Sequence, residues 1–268
     1  MRISIITISF NQKKFLERTI KSVLQQDYPH IEYIVVDPGS TDGSLDIIKS
    51  YSSQISKVIL EPDQGAADGL NKGFSHATGE ILGFLNSDDI LLPGAISRVV
   101  DFLKQHPKID VVSGDTIVID ENDNKLRYCF SDHYSALRAV YNGSFIMQPS
   151  TFFRSHAFER SGGFNPENSS NWDGELWIDM YMNGSKFGNM HGILSGYRIH
   201  SESITGSARL TQEITSYRSR MFKKVMGRSP RKYDVIIAMW VKIFRYLSNS
   251  KDVIQRIFCG PVYGRRSS

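Results

Sequence analysis

Glu80-Ile81-Leu82-Gly83-Phe84-Leu85-Asn86-Ser87-Asp88-Asp89 is an apolar run that ends in two adjacent acids. Ile81 to Leu85 has the length of a buried strand, although periodicity alone does not separate such a run from a piece of buried helix. The exit decides for the strand. Open α/β sheets bind ligands at the carboxyl ends of their strands, which is where Asp88 and Asp89 leave the run. Adjacent carboxylates repel, and the pair needs a cation, a basic group or water to offset it. Magnesium or manganese holding a phosphate-bearing substrate is one such offset, because both are hard cations suited to oxygen ligands. A solvated turn or a helix cap is the alternative. The rest of the chain must decide between them.

Upstream, the same unit repeats. Ile3 to Ile8 is a β-branched strand, and Phe15, Leu16, Ile20, Val23 and Leu24 follow at helical spacing. Ile31 to Val36 predicts a second strand, Val58 to Leu60 a third, and Gly65 to His76 a small-residue helix. Strand, polar turn and helix in alternation predict an α/β fold, a mostly parallel sheet with helices on both faces. Right-handed crossovers then bring Thr7 to Asn11, Asp37 to Asp42, Asp63-Gln64-Gly65 and Ser87 to Asp89 onto one rim. Asp37 in Asp37-Pro38-Gly39 suits either a turn or a carboxylate that accepts hydrogen bonds from a base or ribose. Asp42, ahead of Gly43-Ser44, suits a helix cap. Neither a Gly-x-Gly-x-x-Gly dinucleotide fingerprint nor a Gly-Lys-Ser/Thr phosphate loop is present.

Composition narrows the class. With 268 residues, 40% hydrophobic and 22% charged, the chain has enough apolar surface for one large domain or slightly more. The net charge of +4 suits anionic substrates or surfaces and is too small to imply nucleic acid. Two widely separated cysteines, Cys129 and Cys259, predict a reducing compartment and no disulfide scaffold. The short apolar start is expected to be a strand rather than a signal peptide. No apolar run approaches the ~20 residues of a membrane span.

Downstream of Asp89, Leu91 to Gln105 predicts a helix. Val111-Val112 and Ile117 to Ile119 are expected as strand material divided by Ser113-Gly114-Asp115, and Glu121 to Asn124 as a hairpin turn before Leu126 to Phe130. Gly143 to Phe153 has an antiparallel or irregular pattern, a small addition to the sheet that forms the second half of a pocket. Gln148 and Arg154 stand out there as polar residues without an assigned role. Asp173, in Trp172-Asp173-Gly174-Glu175-Leu176-Trp177, suits a first-turn acid, or a general base beside aromatic groups able to platform a sugar ring. Ile193 to Ile199 predicts a strand, and Arg198 and His200, two residues apart, then share a face. Both fit a diphosphate-plus-metal site, and imidazole is a better ligand for manganese than for magnesium. A helix is expected over Thr211 to Met226. The basic and apolar-aromatic tail beyond Arg228 suits either a membrane surface or packing on the domain or a second subunit, with its basic residues solvated.

Six fragments in order carry a resemblance. They are Ser4 to Asn11, Val35 to Gly43, Asp63-Gln64-Gly65 with Asn71-Lys72-Gly73, Ala77 to Asp89, Gly162-Gly163-Phe164 before Trp172 to Trp177, and Tyr197-Arg198-Ile199-His200. Together they resemble the inverting nucleotide-sugar glycosyltransferases of the large family two, which have the GT-A fold. The resemblance covers residues 2 to 205. It implies a GT-A domain over 1–205, with a nucleotide-sugar half at about 1–110 and an acceptor half at about 111–205, and a helical extension over 206–268. It further implies that Thr7 lines the nucleotide pocket, Phe10 lies near the base, and Asp37 hydrogen-bonds it. Asn11, Asp68 and Arg198 join the nucleotide- and sugar-binding set. Asp88 would bind ribose or sugar, Asp89 would bind Mn2+ or Mg2+, and His200 would be an extra metal or diphosphate ligand. Asp173 would be the catalytic base. Trp172 replaces the first acid of the pair usual at that motif, and Pro38 stands where Asp or Gly is common.

The implied reaction moves a hexose from a nucleoside diphosphate sugar to a hydroxyl of a glycan or lipid-linked glycan, with inversion, in polysaccharide or cell-envelope synthesis. The implied location is cytoplasmic, or peripheral at the inner face of the membrane, with a homo-oligomer as a further expectation. A sugar nucleotidylyltransferase would want a glycine-rich basic loop after the first strand, and Ser9 to Lys14 has no glycine. A non-catalytic sugar-binding module would leave the acids without a task.

Overall fold

Ile3–Ile8 (β1) is a strand whose two faces are both covered, and its alternating side chains divide the core in two. Ile3 and Ile5 enter one apolar cluster, and Ile6 enters the other. The computed structural model describes residues 1–201 and 211–260. On the first face lie Lys13–Leu24 (α1), Ser44–Ser50 (α2) and Ala95–Gln105 (α4). Leu16, Ile20 and Val23 from α1 pack there with Ile96, Val99 and Leu103 from α4. On the second face Ala66–Ser75 (α3) contributes Leu70 and Phe74, and Trp172–Met182 (α7) contributes Leu176, Trp177 and Met180.

Ile31–Val36 (β2), Lys57–Ile59 (β3) and Ile81–Asn86 (β4) continue the sheet, with β3-β2-β1-β4 all parallel. The sheet then runs on through Thr151–Arg154 (β8), Val111–Ile119 (β6), Phe187–Arg198 (β9) and Ile90–Leu91 (β5), with Lys125–Cys129 (β7) paired to β6. The antiparallel pairings enter at β8, which joins β4 to β6, and at β7 and β5. One sheet therefore crosses the expected division near residue 110. The other expected boundary, at 205/206, lies outside the described residues, as does the stretch 261–268 of the extension.

Three expectations change. Residues 111–119 form one strand, because Ser113 to Asp115 keeps pairing with β9 through a shifted register. The helix after Asp89 begins at Ala95, since Ile90 and Leu91 pair with Gly196 and Ser195 and Gly94 takes a left-handed φ of 75°. β9 is longer than Ile193 to Ile199 at its start and stops at Arg198.

Gly83, near the centre of β4, leaves no room for a side chain. A Cβ there would stand 2.6 Å from the Phe152 ring and 3.1 Å from Ile5 Cδ1. Overpacking of this kind costs about 1–3 kcal/mol. Gly83→Ala is expected to lower the thermal midpoint measurably in a melt followed by circular dichroism, whereas an unchanged midpoint would mean that the Phe152 ring swings aside freely.

Beyond the sheet, Ala136–Ala139 (α5), Ser155–Ser161 (α6), Thr211–Met226 (α8), Asp234–Ser248 (α9) and Ser250–Cys259 (α10) complete the described helices. The tail helices dock through charge. Arg127 Nη2 meets Asp252 Oδ1 at 2.8 Å with both side chains buried, and Arg245 Nε meets Asp132 Oδ2 at 2.6 Å. Arg228 holds Asp234 through two nitrogens at 2.7 Å, and Arg220 meets Glu175 at 2.5 Å. Arg228 and Arg245 of the tail are thus spent on buried acids, whereas Arg231 stays exposed. Among the described residues no helix is long and apolar enough to cross a membrane.

Candidate functional site

Strand register sets the rim. Ile8 lies opposite Val36 on one side and Asn86 on the other, and Val36 lies opposite Ile59. The four loops that follow these strands therefore leave one edge of the sheet side by side. Two of them are sewn together. Asn11, with φ of 53°, gives its N–H to Ser40 Oγ at 2.8 Å and accepts from Thr41 N–H at 2.9 Å. Asp37 is fully buried; Oδ1 accepts from the amides of Gly39 and Ser40, and Oδ2 accepts from Ser40 Oγ at 2.7 Å. These contacts form a turn around the Asp37 carboxylate. Asp42 accepts from Lys13 N–H at 2.8 Å and Ser44 N–H at 2.9 Å, so it caps the first turns of both α1 and α2. Phe10 stands on this rim 59% exposed, a large apolar ring that the core has not claimed.

The adjacent acids part ways. Asp89 is 1% exposed, and Oδ1 accepts from Arg198 N–H at 2.8 Å. Oδ2 is buried without a hydrogen-bond partner among the described residues. Burial, with the neighbouring Asp88 charge adding to it, pushes the Asp89 carboxyl well above the ordinary carboxylate range. Asp88 turns outward, its side chain 21% exposed, and Oδ2 lies 3.1 Å from His200 Nε2. Thr19 Oγ1 fixes the loop between them by donating to the carbonyls of Ser87 at 2.8 Å and Asp89 at 2.7 Å.

Arg198 and His200 do share a face, since both pack on Phe15, with the guanidinium 5.0 Å and the imidazole 4.6 Å from the ring centroid. Their tasks differ. Arg198 is fully buried and donates to the carbonyls of Asp88 at 2.6 Å and Asp120 at 2.9 Å, and it pairs with Asp123 at 2.5 Å. Through Nε and Nη1 the guanidinium braces the Asp88 loop against the β6–β7 turn, while Nη2 is buried without a hydrogen-bond partner among the described residues. That turn is tied to α1 as well, through Lys14 to Glu121 and through Arg18 to Asp123 at 2.7 Å.

Asp88 Oδ2 and His200 Nε2 face each other directly at 3.1 Å, with the His200 side chain only 4% exposed. Their separation is close to the ~3 Å between adjacent ligands of an octahedral ion with bonds of about 2.1 Å. Among the described residues no group of three or more metal-ligating side chains occurs. A hard divalent ion would fit with the balance of its shell from substrate phosphate and water, the usual arrangement for magnesium-type sites.

Three expected residues remain. Thr7 is buried and accepts the Tyr33 hydroxyl at 3.0 Å, so it faces the core. Asp68 caps its own helix by accepting from Gln64 N–H at 3.0 Å, which holds its carboxyl below the usual range, and pairs with Lys72 at 3.1 Å. Asp173 opens α7, and burial raises its carboxyl above the ordinary value against its own amide and that of Gly174. Tyr217 of α8 lies close by, its hydroxyl 2.6 Å from where a Cβ on Gly174 would be. Trp172 and Trp177 are buried among Phe84, Phe153 and Phe164, so the expected sugar platform is not made by these indoles.

Sequence reasoning missed part of the rim. Gln148 reaches the end of β4, donating to the Phe84 carbonyl at 2.8 Å and accepting from Asn86 Nδ2 at 3.3 Å. Its polarity among apolar neighbours was the available signal. Arg154, noted for the same reason, is structural, donating to the carbonyls of Ile109 and Leu103. Thr19 and Asp123 gave no signal.

A family model described as "Glycosyl transferase family 2" matches residues 4–162. An uncharacterized glycosyltransferase of Nostoc sp. is 36% identical over 129 residues, 47% of this chain and 40% of that protein. Bacillus subtilis TuaG, provisionally described as a teichuronic acid biosynthesis glycosyltransferase, is 39% identical over 106 residues, 38% of this chain and 42% of its own length. The matched stretches thus span less than half of these relatives. Among solved structures, S. aureus TarS 1–349 in complex with UDP-GlcNAc superposes with a TM-score of 0.70 at 19% identity, covering 96% of this chain and 74% of that one. The mannosyltransferase PcManGT from Pyrobaculum calidifontis, in complex with GDP-Man and Mn2+, superposes with a TM-score of 0.64 at 18% identity, covering 94% and 75%.

Proposed function

Because the chain belongs to glycosyl transferase family 2, we propose that it transfers a hexose from a nucleoside diphosphate sugar to a hydroxyl of a glycan or lipid-linked glycan, with inversion. The observation that carries this reading is the contact of the partly exposed Asp88 with the buried His200, 3.1 Å apart, where Arg198 holds the Asp88 carbonyl at the carboxyl end of β4. UDP-GlcNAc and GDP-Man in the proteins of similar fold support a nucleotide-sugar donor. A reducing, cytoplasmic compartment suits the two free thiols Cys129 and Cys259.

Each residue then has a task. Asp88 and His200 would hold Mn2+ or Mg2+, which would offset the charge that develops on the departing diphosphate. Asp89 and Arg198 position that pair, a change from the metal-ligand role expected of Asp89. Phe10 offers its exposed face to the base, and Asp37 serves the nucleotide by shaping the loop from Gly39 to Asp42. Asn11 and Asp68 act in the same indirect way, each fixing a rim loop. Asp173 takes the proton of the acceptor hydroxyl while its oxygen forms a bond to C1 and the bond from C1 to the diphosphate breaks.

A panel of UDP-, GDP- and TDP-sugars incubated with the protein and manganese tests the reading. Release of one nucleoside diphosphate, accelerated by glycan acceptor and suppressed by chelation, is the expected result. Release of pyrophosphate from a nucleoside triphosphate and a sugar phosphate would assign the site to nucleotidyl transfer instead.

A further inference from the structure

Helices α9 and α10 are inverted. On an ordinary surface helix the apolar stripe faces the core and the charges face water. Here Asp234, Arg245 and Asp252 are the buried side chains of the pair. Outward on α9 stand Ile236, Trp240, Phe244 and Leu247, 57%, 63%, 58% and 77% exposed and spaced along one helical stripe. On α10, Ile257 and Phe258 are 73% and 81% exposed. The ionic contacts of Arg245 with Asp132 and of Arg127 with Asp252 hold this face outward.

We propose that the exposed apolar face of α9 and α10 is a docking surface for an anionic lipid bilayer, on which the two helices lie in the interfacial plane. Charge selects this occupant. The only acids between Gly227 and Gly260 are Asp234 and Asp252, and both are buried against arginines. The exposed charges between Gly227 and Gly260, Arg231, Lys232, Lys242 and Lys251, are all positive. A second copy of the same face would meet these cations with no acid of its own, whereas anionic headgroups neutralise them. Bulky apolar and aromatic residues beside lysines are the composition of helices that bury one face in the headgroup region. The anchor is also mechanically joined to the candidate site. α10 clasps β7 through Arg127, and the β6–β7 turn carries Asp123 to Arg198. The inference does not depend on the transfer reaction.

Flotation of the full chain with phosphatidylcholine vesicles, with and without phosphatidylglycerol, provides the test. Binding is expected to the anionic vesicles and to weaken with salt. Trp240 is a built-in reporter, because Trp172 and Trp177 are already buried, so its emission should shift to the blue on binding. Trp240→Ser with Phe244→Ser, and separately Lys242→Glu with Lys251→Glu, are each expected to weaken partitioning about tenfold or more. Both pairs are exposed, so their circular dichroism melts should match the parent. No binding and no spectral shift with either vesicle would overturn the proposal. So would a dimer in light scattering that Trp240→Ser converts to a monomer, since the face would then belong to a second copy.

Discussion

Asp173→Asn is expected to lower turnover by about 10²–10⁴-fold while leaving donor affinity unchanged, the range typical for loss of a general base. The substitution keeps the shape of a first-turn side chain at the start of α7 and removes only the capacity to accept a proton. Burial raises the Asp173 carboxyl above the ordinary range. A base works only when ionised, so in the parent the rate should fall as pH drops through that raised value, an acid limb lying above the ordinary carboxylate pKa of ~3.9. Tyr134 and Tyr217, both raised by burial and by acids that include Asp173, remain protonated across this window and do not add a second limb there. Single-turnover rates against pH, alongside donor titrations, separate the two effects. Near-parental turnover in Asp173→Asn would remove the residue from the role and leave it as a helix-start acid.

The alternating half of the chain was legible because each parallel strand is a continuous apolar run and each covering helix repeats at 3.6. Register then fixes the rim without further information, since Ile8, Val36, Ile59 and Asn86 are neighbours across the sheet. What sequence did not disclose is which way a side chain turns. Asp88 and Asp89 are the same residue type one position apart, yet one faces out and the other in. Arg198 carries the charge of a phosphate ligand, but its Nε and Nη1 go to backbone carbonyls and Asp123, contacts more than seventy residues away in sequence. The tail misled for a related reason. Its arginines and lysines look alike in a list of charges, but Arg228, Arg245 and Arg256 find the buried acids Asp234, Asp132 and Asp252, while Arg231 stays exposed. The lysines and the large apolar side chains are left outside together.

The second large effect separates the two acids. Asp88→Ala is expected to abolish the manganese-dependent part of donor binding with little change in thermal midpoint. Its side chain faces outward, and the contact that braces the loop, Arg198 Nε to the Asp88 carbonyl, is made to the main chain and survives the substitution. Asp89→Ala is expected to act on the fold instead. It strips the buried Arg198 N–H of its acceptor at 2.8 Å, and an unsatisfied buried group costs about 1–3 kcal/mol. For a chain of this size that is a fall on the order of 5 °C. Because Arg198 also reaches Asp120 and Asp123, the β6–β7 turn should loosen with it, and donor binding should weaken through disorder rather than through loss of a ligand. His200→Ala is expected to weaken manganese dependence as Asp88→Ala does, and also to lower the midpoint, because its buried ring packs on Phe15. Isothermal titration with and without manganese, set against melts of the same samples, distinguishes the two patterns. If Asp89→Ala lost the metal response at an unchanged midpoint while Asp88→Ala kept it, the inward acid would be the ligand, and the Asp88–His200 pair would be a contact with no part in holding the donor.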